Sequence, residues 1–303
     1  MSRDTRPIVV YVAGAGRSGS TLLETLLAER TSATAVGEIR SFLGPGYRWG
    51  AKCQCGRAFL DCPFWSEVMG IALPDASALN RERLEKTRRA LITNRSLAQI
   101  LRGRDRWNPD EKHFAELYDD VYRAVVEVAE SPLILDSSKS VPFALFLDAL
   151  GSIDLRVVHL VRDSRAVTYS WQREKPWLAS PEEEKPLMET RRPLRVAREW
   201  VSYNALADLL RTRVQYATLV RYEDLATAPD VTIERIVQTL ALPSVANTPA
   251  ARGHGFLGNP IRFATLARDV RRDDEWRSVL SSKDHRIATA LTLPQLLRYG
   301  YRP

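Results

Sequence analysis

The chain has 303 residues and a formal net charge of +7, with 45% hydrophobic and 27% charged residues. This composition is ordinary for a globular protein, and the length is sufficient for one large α/β domain or two small ones. No apolar run reaches the roughly 18 residues of a membrane-spanning helix, and no cluster of basic residues interleaved with aromatics indicates nucleic-acid binding. We therefore expect a cytoplasmic protein with no membrane span and no nucleic-acid partner.

Apolar runs that predict strands alternate with helical patterns along the chain. Strands are expected at residues 8–13, 133–135, 155–161 and 218–220. The helices that follow them are expected at residues 21–29, 142–150, 164–172 and 230–240. Two arginines before the first run loosely imitate a signal peptide, but the run is short and enters a glycine-rich turn directly, so a buried strand is the better interpretation. The alternation predicts an α/β fold with a parallel sheet flanked by helices.

Two long segments interrupt this alternation. Residues 40–129 contain charged amphipathic patterns at 80–102 and 111–129, which predict a helical insertion after the first strand–helix unit, over the open edge of the sheet. Residues 174–193 carry four prolines around an acidic run and form a candidate mobile loop near the expected ligand-binding site. Both segments are assigned to a single domain of residues 1–303.

Three cysteines lie within the insertion, at Cys53, Cys55 and Cys62. A structural zinc site usually has four ligands, and no histidine is close to them in sequence. An odd number of cysteines in a cytosolic protein argues against a disulfide framework. We expect reduced structural thiols, with a disulfide or a metal completed by a distant ligand as the alternatives.

The strongest local signal is a glycine-rich turn between the first strand and the first helix, at residues 14–21. Gly14 and Gly19 have the spacing of the two glycines in a Walker A loop, in which backbone amides and the helix dipole attract an anion. Ser20 occupies the position of the Walker A lysine, and the only cation of the loop is Arg17. This P-loop-type turn therefore suits a ligand that presents one phosphate to the helix and a different reactive group to Arg17, and it disfavours ATP or GTP.

The segment from Arg17 to Leu22 resembles the 5'-phosphosulfate loop of sulfotransferases that use 3'-phosphoadenosine-5'-phosphosulfate (PAPS). The resemblance runs in order from about residue 8 to about residue 263 and is looser in the insertion. The loop and base motifs are similar to those of protein-tyrosine sulfotransferases, and residues 253–263 resemble a late glycine-containing loop of bacterial sulfotransferases, which suggests a bacterial member. It implies that the loop binds PAPS through Gly16, Arg17, Ser18, Gly19, Ser20 and Thr21.

A second motif follows the third predicted strand. In that family an arginine at the end of a strand and a serine eight positions later hold the 3'-phosphate, and Arg162 and Ser170 match both the residue types and the spacing. Two motifs in order, each at a strand–helix junction, make the resemblance specific. It further implies that Tyr222 lies beside the adenine, and that a late glycine-containing loop contributes Gly258, Asn259 and Arg262.

The catalytic residues are also implied by the resemblance. Glu38 stands in a segment similar to the one that carries the glutamate base of protein-tyrosine sulfotransferases, although the arginine that follows is one position earlier here. Lys139 lies in a segment similar to the one whose lysine stabilises the transferring sulfonate, with Arg17 on the other side. A working base would need burial or a neighbouring carboxylate to raise its pKa.

The sequence therefore predicts a sulfotransferase that moves a sulfonate from PAPS to a small-molecule or natural-product hydroxyl by in-line displacement. The reaction would release 3'-phosphoadenosine-5'-phosphate (PAP) and require no metal. Two alternatives stay open. A P-loop kinase would use ATP and Mg²⁺, with Asp136 after the second predicted strand as a metal ligand. A non-catalytic binding module would keep the phosphate loop without turnover.

Overall fold

The computed structural model describes residues 6–182, 186–243, 253–258 and 272–302. Within these ranges, five strands form one sheet: β1 (Ile8–Ala13), β2 (Thr34–Gly37), β3 (Leu133–Lys139), β4 (Asp154–Val161) and β5 (Tyr216–Arg221). The strand order is β2-β3-β1-β4-β5, and every neighbouring pair is parallel. The predicted α/β fold with a parallel sheet is confirmed, and β2 is a strand that the apolar runs did not predict.

Helices occupy most of the remaining described chain. Those that follow strands or complete the carboxyl-terminal part are α1 (Ser20–Thr31), α6 (Val141–Leu150), α7 (Ser164–Gln172), α8 (Pro193–Arg211), α9 (Tyr222–Thr227), α10 (Pro229–Thr239), α11 (Trp276–Val279) and α12 (Ser282–Arg298). Those between β2 and β3 are α2 (Pro63–Ala72), α3 (Ala78–Leu91), α4 (Leu97–Leu101) and α5 (Pro109–Ala129). None of the helices in the described ranges combines the length and the apolar character needed to cross a membrane.

Helices cover both faces of the sheet, as a buried parallel sheet requires. On one face α1 and α10 pack on the strands around a core that includes Leu23, Leu135 and Val220. On the other face α5, α6 and α8 pack on the strands, and the larger core there continues into the helices between β2 and β3. The sheet is thereby held rigidly, which fixes the positions of the loops at its carboxyl edge.

The amphipathic pattern at 80–102 folds as two helices rather than one. Helix α3 ends at Leu91, and α4 starts only at Leu97. Between them the Thr93 and Ser96 hydroxyls lie 2.9 Å apart, and the Ser96 hydroxyl donates to the Ala90 carbonyl at 2.7 Å. Such side-chain hydrogen bonds to the backbone compete with helix continuation.

The prolines of the 174–193 segment predict an irregular loop. Its described part contains one isolated bridge, between Pro176 and Leu187, and the Trp177 amide donates to the Pro186 carbonyl at 2.8 Å. Helix α8, which the sequence analysis did not predict, begins at Pro193, where a proline suits the first turn.

Candidate active site

The predicted site residues gather at the carboxyl ends of the five strands. Strand β1 lies at the centre of the sheet, between β3 and β4, so the strand order reverses there. Ligands of open α/β folds bind in the crevice at such a point. From one edge of the sheet to the other, the strand ends carry Glu38 after β2, Lys139 at the end of β3, the glycine loop after β1, Arg162 after β4 and Tyr222 after β5.

The glycine loop between β1 and α1 needs glycine at two positions. Gly14 has a φ of +139°, and a Cβ there would lie 2.4 Å from the Leu160 carbonyl oxygen on β4. Gly19 is the N-cap of α1 with a φ of +92°, and a Cβ there would lie 2.5 Å from the Tyr222 ring. Because the loop packs this closely, its backbone approaches β4 and α9 and is held against the start of α1.

The polar side chains of this loop leave buried atoms without partners. Within the described ranges, the Ser18 hydroxyl and the Arg17 Nε have no hydrogen-bond partner although both atoms are buried. The Arg17 guanidinium stacks over the Trp171 ring at 4.7 Å and donates to the Met188 sulfur at 3.4 Å. Burial lowers the pKa of Arg17, and the charge of Glu38 opposes that shift. A half-buried cation with a buried, unpartnered Nε and a buried, unpartnered hydroxyl fit an anionic ligand.

Arg162 is held beside the loop by contacts from three directions. Its guanidinium lies 4.3 Å from the Tyr222 ring centre, donates to the Arg17 carbonyl at 3.3 Å and forms an ion pair with Asp273 at 3.0 Å. Its side chain is only 7% exposed, and its Nε is a further buried atom without a partner among the described residues. Tyr222 thus touches both Gly19 and Arg162, which places its ring between the two predicted phosphate contacts.

Lys175 is a cation of this region that the sequence analysis missed. It is partly buried, and its pKa is lowered first by burial and then by the charges of Arg17, Arg173 and Arg162. Its carbonyl accepts from the Met188 amide at 2.8 Å, which holds the described ends of the 174–193 segment together. No sequence motif surrounds Lys175, so only its spatial neighbours reveal it.

Glu38 and Lys139 form an ion pair at the β2 side of the crevice. The Lys139 ammonium lies 2.6 Å from the Glu38 carboxylate and also donates to the Ser137 carbonyl at 2.9 Å and to the Ser20 hydroxyl at 3.5 Å. The two side chains are 20% and 19% exposed, respectively. A carboxylate, an ammonium and the first residue of α1 therefore meet at one place.

Buried Glu24 on α1 is a second residue that the sequence analysis missed. Its carboxylate accepts from the Gly37 amide at 3.0 Å and from the Ser137 hydroxyl at 2.7 Å. It therefore ties the end of β2 to the end of β3, next to Glu38 and Lys139. A single glutamate inside a helix gives no sequence signal for this positioning role.

Asp136, the alternative metal ligand, has both carboxylate oxygens engaged by protein groups. Its carboxylate accepts from the Tyr122 hydroxyl at 2.6 Å and from the Ser138 amide at 2.8 Å. The side chain is fully buried, and burial raises the pKa of Asp136 to about 7. One oxygen is engaged by Tyr122 of α5 and the other by the Ser138 amide of β3, so Asp136 does not suit a Mg²⁺ ligand beside the glycine loop.

A cavity of about 590 Å³ opens beside these groups and would accommodate an acceptor. The Arg40 Nε at its wall is buried and has no partner among the described residues. Trp171 lines the cavity together with Gly14 and Gly16 of the loop. The Arg17 guanidinium lies over the Trp171 ring, and the Arg191 guanidinium lies 3.8 Å from the centre of that ring. The lining includes Glu38, Arg40, Lys139, Trp171, Trp200 and Tyr203.

The remaining predicted cofactor residues are only partly covered by the structure. Ser170 is buried in α7, the helix that starts just after Arg162. Gly258 has a φ of +87° at the end of a described segment that packs against β2. Asn259 and Arg262 lie outside the described residues.

Comparisons with known proteins complete this description. A family model described as the sulfotransferase family matches residues 7–246. No curated protein matches the chain. Among solved structures, the chain is similar to a sulfotransferase domain from the curacin biosynthetic pathway, with 18% identity, a TM-score of 0.50, and coverage of 94% of this chain and 98% of that chain.

Two further solved structures are similar at the same low level of identity. The sulfotransferase domain of the Synechococcus PCC 7002 olefin synthase shares 22% identity, with a TM-score of 0.47 and 95% of each chain covered. The sulfotransferase STF9 from Mycobacterium avium shares 16% identity, with a TM-score of 0.49, over 99% of this chain and 78% of that chain. At such identities a structural likeness bears on the fold alone.

Proposed function

The chain belongs to the sulfotransferase family, and from this premise we propose that it transfers a sulfonate group from PAPS to the hydroxyl of a small-molecule or natural-product acceptor. The observation that carries the choice of donor is the convergence of cations on the glycine loop. Arg17, Arg162 and Lys175 lie close enough for their charges to act on one another. Asp273 offsets part of this positive charge through its ion pair with Arg162. A bound polyanion such as PAPS would offset more of the repulsion among the three cations.

The orphaned polar atoms support the same donor. The Ser18 hydroxyl and the Nε atoms of Arg17 and Arg162 are buried without partners in the described part of the chain. Phosphate oxygens would satisfy them, because charge-assisted hydrogen bonds to phosphate are among the strongest polar contacts. In this proposal residues 16–21 hold the 5'-phosphosulfate, Arg162 and Ser170 hold the 3'-phosphate, and the Tyr222 ring packs by the adenine, with Gly258, Asn259 and Arg262 completing the site.

The ion pair at the β2 side supports the catalytic roles. PAPS, when bound, supplies a sulfonate already joined to a phosphate that can leave. The oxygen of the acceptor hydroxyl bonds to sulfur while the bond between sulfur and the bridging phosphate oxygen breaks in line. Glu38 takes the proton that the acceptor hydroxyl loses. Lys139 and Arg17 supply the positive charge that stabilises the sulfonate and the departing phosphate oxygen.

A nucleotide kinase is the competing function, and Asp136 argues against it. A kinase needs a carboxylate to hold Mg²⁺ near the loop, whereas both oxygens of Asp136 are engaged by Tyr122 and Ser138. The Walker A lysine is also absent, because Ser20 follows Gly19.

Calorimetric titration of the purified protein tests the donor. We expect PAP to bind without added Mg²⁺ roughly 10- to 100-fold more tightly than AMP, because a charge-assisted bond to the 3'-phosphate contributes about 1.5–3 kcal/mol. The Arg162→Ala variant should lose this preference for PAP over AMP, while Arg198→Ala, which removes an exposed arginine of α8, should keep it. Tighter binding of ATP with Mg²⁺, or an unchanged preference in Arg162→Ala, would overturn the proposal.

A further inference from the structure

The three cysteines of the insertion meet in space, although the proposed reaction gives them no role. Cys53 and Cys55 lie on a tight hairpin, in which Lys52 pairs with Ala58 and the Cys53 amide donates to the Arg57 carbonyl at 2.8 Å. Cys62 stands directly before α2. The three sulfur atoms lie within 4.8 Å of one another.

A histidine that is distant in sequence lies beside two of the three sulfur atoms. His254 Nδ1 lies 3.6 Å from the Cys62 sulfur and 4.0 Å from the Cys53 sulfur. Four ligands on a tetrahedral zinc ion, with Zn–S of about 2.3 Å and Zn–N of about 2.0–2.1 Å, would hold sulfur and nitrogen about 3.5 Å apart. We propose that this cluster is a structural zinc site with the ligands Cys53, Cys55, Cys62 and His254.

The surroundings of the sulfur atoms are those of metal-bound thiolates. A backbone hydrogen bond reaches each of them, from Cys55 to Cys53, from Arg57 to Cys55, and from Trp65 to Cys62. Such outer hydrogen bonds orient ligands and stabilise the thiolate form.

The imidazole of His254 is also held in place. Its ring stacks on Phe64 with 4.2 Å between centres and 9° between planes. The Trp65 indole donates to the His254 carbonyl at 2.7 Å, and the His254 amide donates to the Ala35 carbonyl of β2 at 3.1 Å. These contacts fix the orientation of the imidazole, as the surroundings of a metal-bound histidine do.

Zinc is the metal that this donor set selects. Soft thiolate ligands combined with imidazole in a tetrahedral group are typical of zinc, and four protein ligands leave no open position for catalysis. The site would therefore be structural and compatible with sulfonate transfer that needs no metal.

The metal would fasten the 253–258 segment to the proposed active site. Beyond His254, the Gln54 amide donates to the Gly255 carbonyl at 2.9 Å, and the Glu38 amide donates to the Phe256 carbonyl at 3.2 Å. Zinc would thus clamp together the cysteine hairpin, the start of α2 and the chain that supports the proposed base.

Elemental analysis of tag-free protein, purified without chelators, tests the site. We expect about one zinc per chain, bound by three sulfur atoms and one nitrogen in X-ray absorption spectra. Cys55→Ser should reduce the zinc content several-fold with little loss of packing, because Cys55 is exposed. His254→Ala should do the same, whereas His113→Ala, on α5, should retain one zinc.

Three results would overturn the inference. The first is less than about a tenth of a zinc per chain, with three thiols that react freely with a thiol reagent. The second is a mass that is two hydrogens lower than the reduced chain, which would indicate a disulfide. The third is a zinc whose absorption spectrum shows only oxygen and nitrogen ligands. Because the spectrum is recorded on the unmodified protein, the test holds even if a variant fails to fold.

Discussion

At the scale of single residues, the pairing of Glu38 with Lys139 decides how the proposed chemistry would work. The two groups are 101 residues apart in sequence and 2.6 Å apart in space. Each is about one-fifth exposed, so the pair can still be reached from the cavity. The fold therefore places the proposed base and the proposed sulfonate-binding ammonium side by side before any ligand binds. The two groups do not have to be brought together during the reaction, which lowers its entropic cost.

Replacement of the proposed base by its amide tests that role. We expect Glu38→Gln to slow sulfonate transfer roughly 10²–10⁴-fold, the usual contribution of a general base. PAP affinity should stay within about threefold, because the proposed cofactor contacts belong to other residues. Single-turnover rates and titration calorimetry measure the two quantities separately. A near-normal rate in Glu38→Gln, compared with Glu38→Asp as the variant that keeps a carboxylate, would assign the base to another residue.

Lys175 predicts a pH dependence of cofactor binding. Burial and the charges of Arg17, Arg173 and Arg162 lower its pKa. Only the protonated form attracts an anion, so PAP affinity should fall as pH rises through this lowered pKa, and an added polyanion should pull the pKa back up. Titrations between about pH 7.5 and pH 10 avoid the second ionisation of the phosphates near pH 6.

The Lys175→Arg variant provides the control for this pH effect. Arginine keeps its charge over the whole range, so the alkaline loss of PAP affinity should disappear in Lys175→Arg. A loss of equal size in both proteins would mean that another group titrates and that Lys175 does not contact the bound anion.

At the scale of secondary-structure elements, the end of β2 depends on a glycine. Gly37 has a φ of +73°, and a Cβ there would lie 2.5 Å from both the amide nitrogen and the carbonyl oxygen of Phe256. Gly50 has a similar φ of +60°, but a Cβ added there would have no atom within 4 Å among the described residues. A substitution at Gly50 would therefore add backbone strain alone, whereas one at Gly37 would add both backbone strain and a steric clash.

Alanine at these two glycines should have unequal effects. Gly50→Ala should lower the free energy of unfolding by about 1–2 kcal/mol, the cost of the left-handed conformation. Gly37→Ala should lower it further and also slow transfer, because the displaced Phe256 segment supports Glu38. Urea unfolding and initial rates measure both effects. Equal losses of stability with equal activity would show that the contact between Gly37 and Phe256 is unimportant.

The sequence predicted the elements that carry a continuous apolar signal and missed those that depend on long-range pairing. Strands β1, β3, β4 and β5 coincide with apolar runs. Strand β2 is only Thr-Ala-Val-Gly, and it exists because Thr34 pairs with Ile134, a hundred positions away. Helix α8 has charged residues on much of its surface, so its pattern was not distinguished from the irregular segment before it.

The site was predictable where a motif marks a strand end. The residues chosen after β1, β2, β3, β4 and β5 all lie at the carboxyl edge of the sheet, because a parallel sheet brings those ends together. Lys175, Glu24 and the meeting of His254 with the cysteines depend on contacts between distant segments. No local pattern encodes such contacts. From the sequence, a metal bound by the cysteines and a distant ligand was therefore only one of several alternatives.

At the scale of the whole molecule, a short stretch of chain connects the proposed zinc cluster with the proposed cofactor site. The cluster holds His254, and the chain then runs through Phe256, which supports Glu38, to Gly258. Asn259 and Arg262, which we propose as contacts to the 3'-phosphate, follow directly in sequence. If both proposals hold, we expect the metal and the 3'-phosphate to influence each other's binding, because their proposed ligands are neighbours in one short stretch of sequence.

A thermodynamic cycle with and without zinc measures this coupling. We expect zinc-free protein to bind PAP roughly 5- to 30-fold more weakly, a coupling free energy of about 1–2 kcal/mol, and to bind AMP with unchanged affinity because AMP lacks the 3'-phosphate. By reciprocity PAP, but not AMP, should slow the loss of zinc to a chelator. Circular dichroism provides the check that the zinc-free protein is folded. Equal losses of affinity for PAP and AMP would point to general disorder of the site. No loss of affinity for either nucleotide would show that the late loop does not contact the 3'-phosphate.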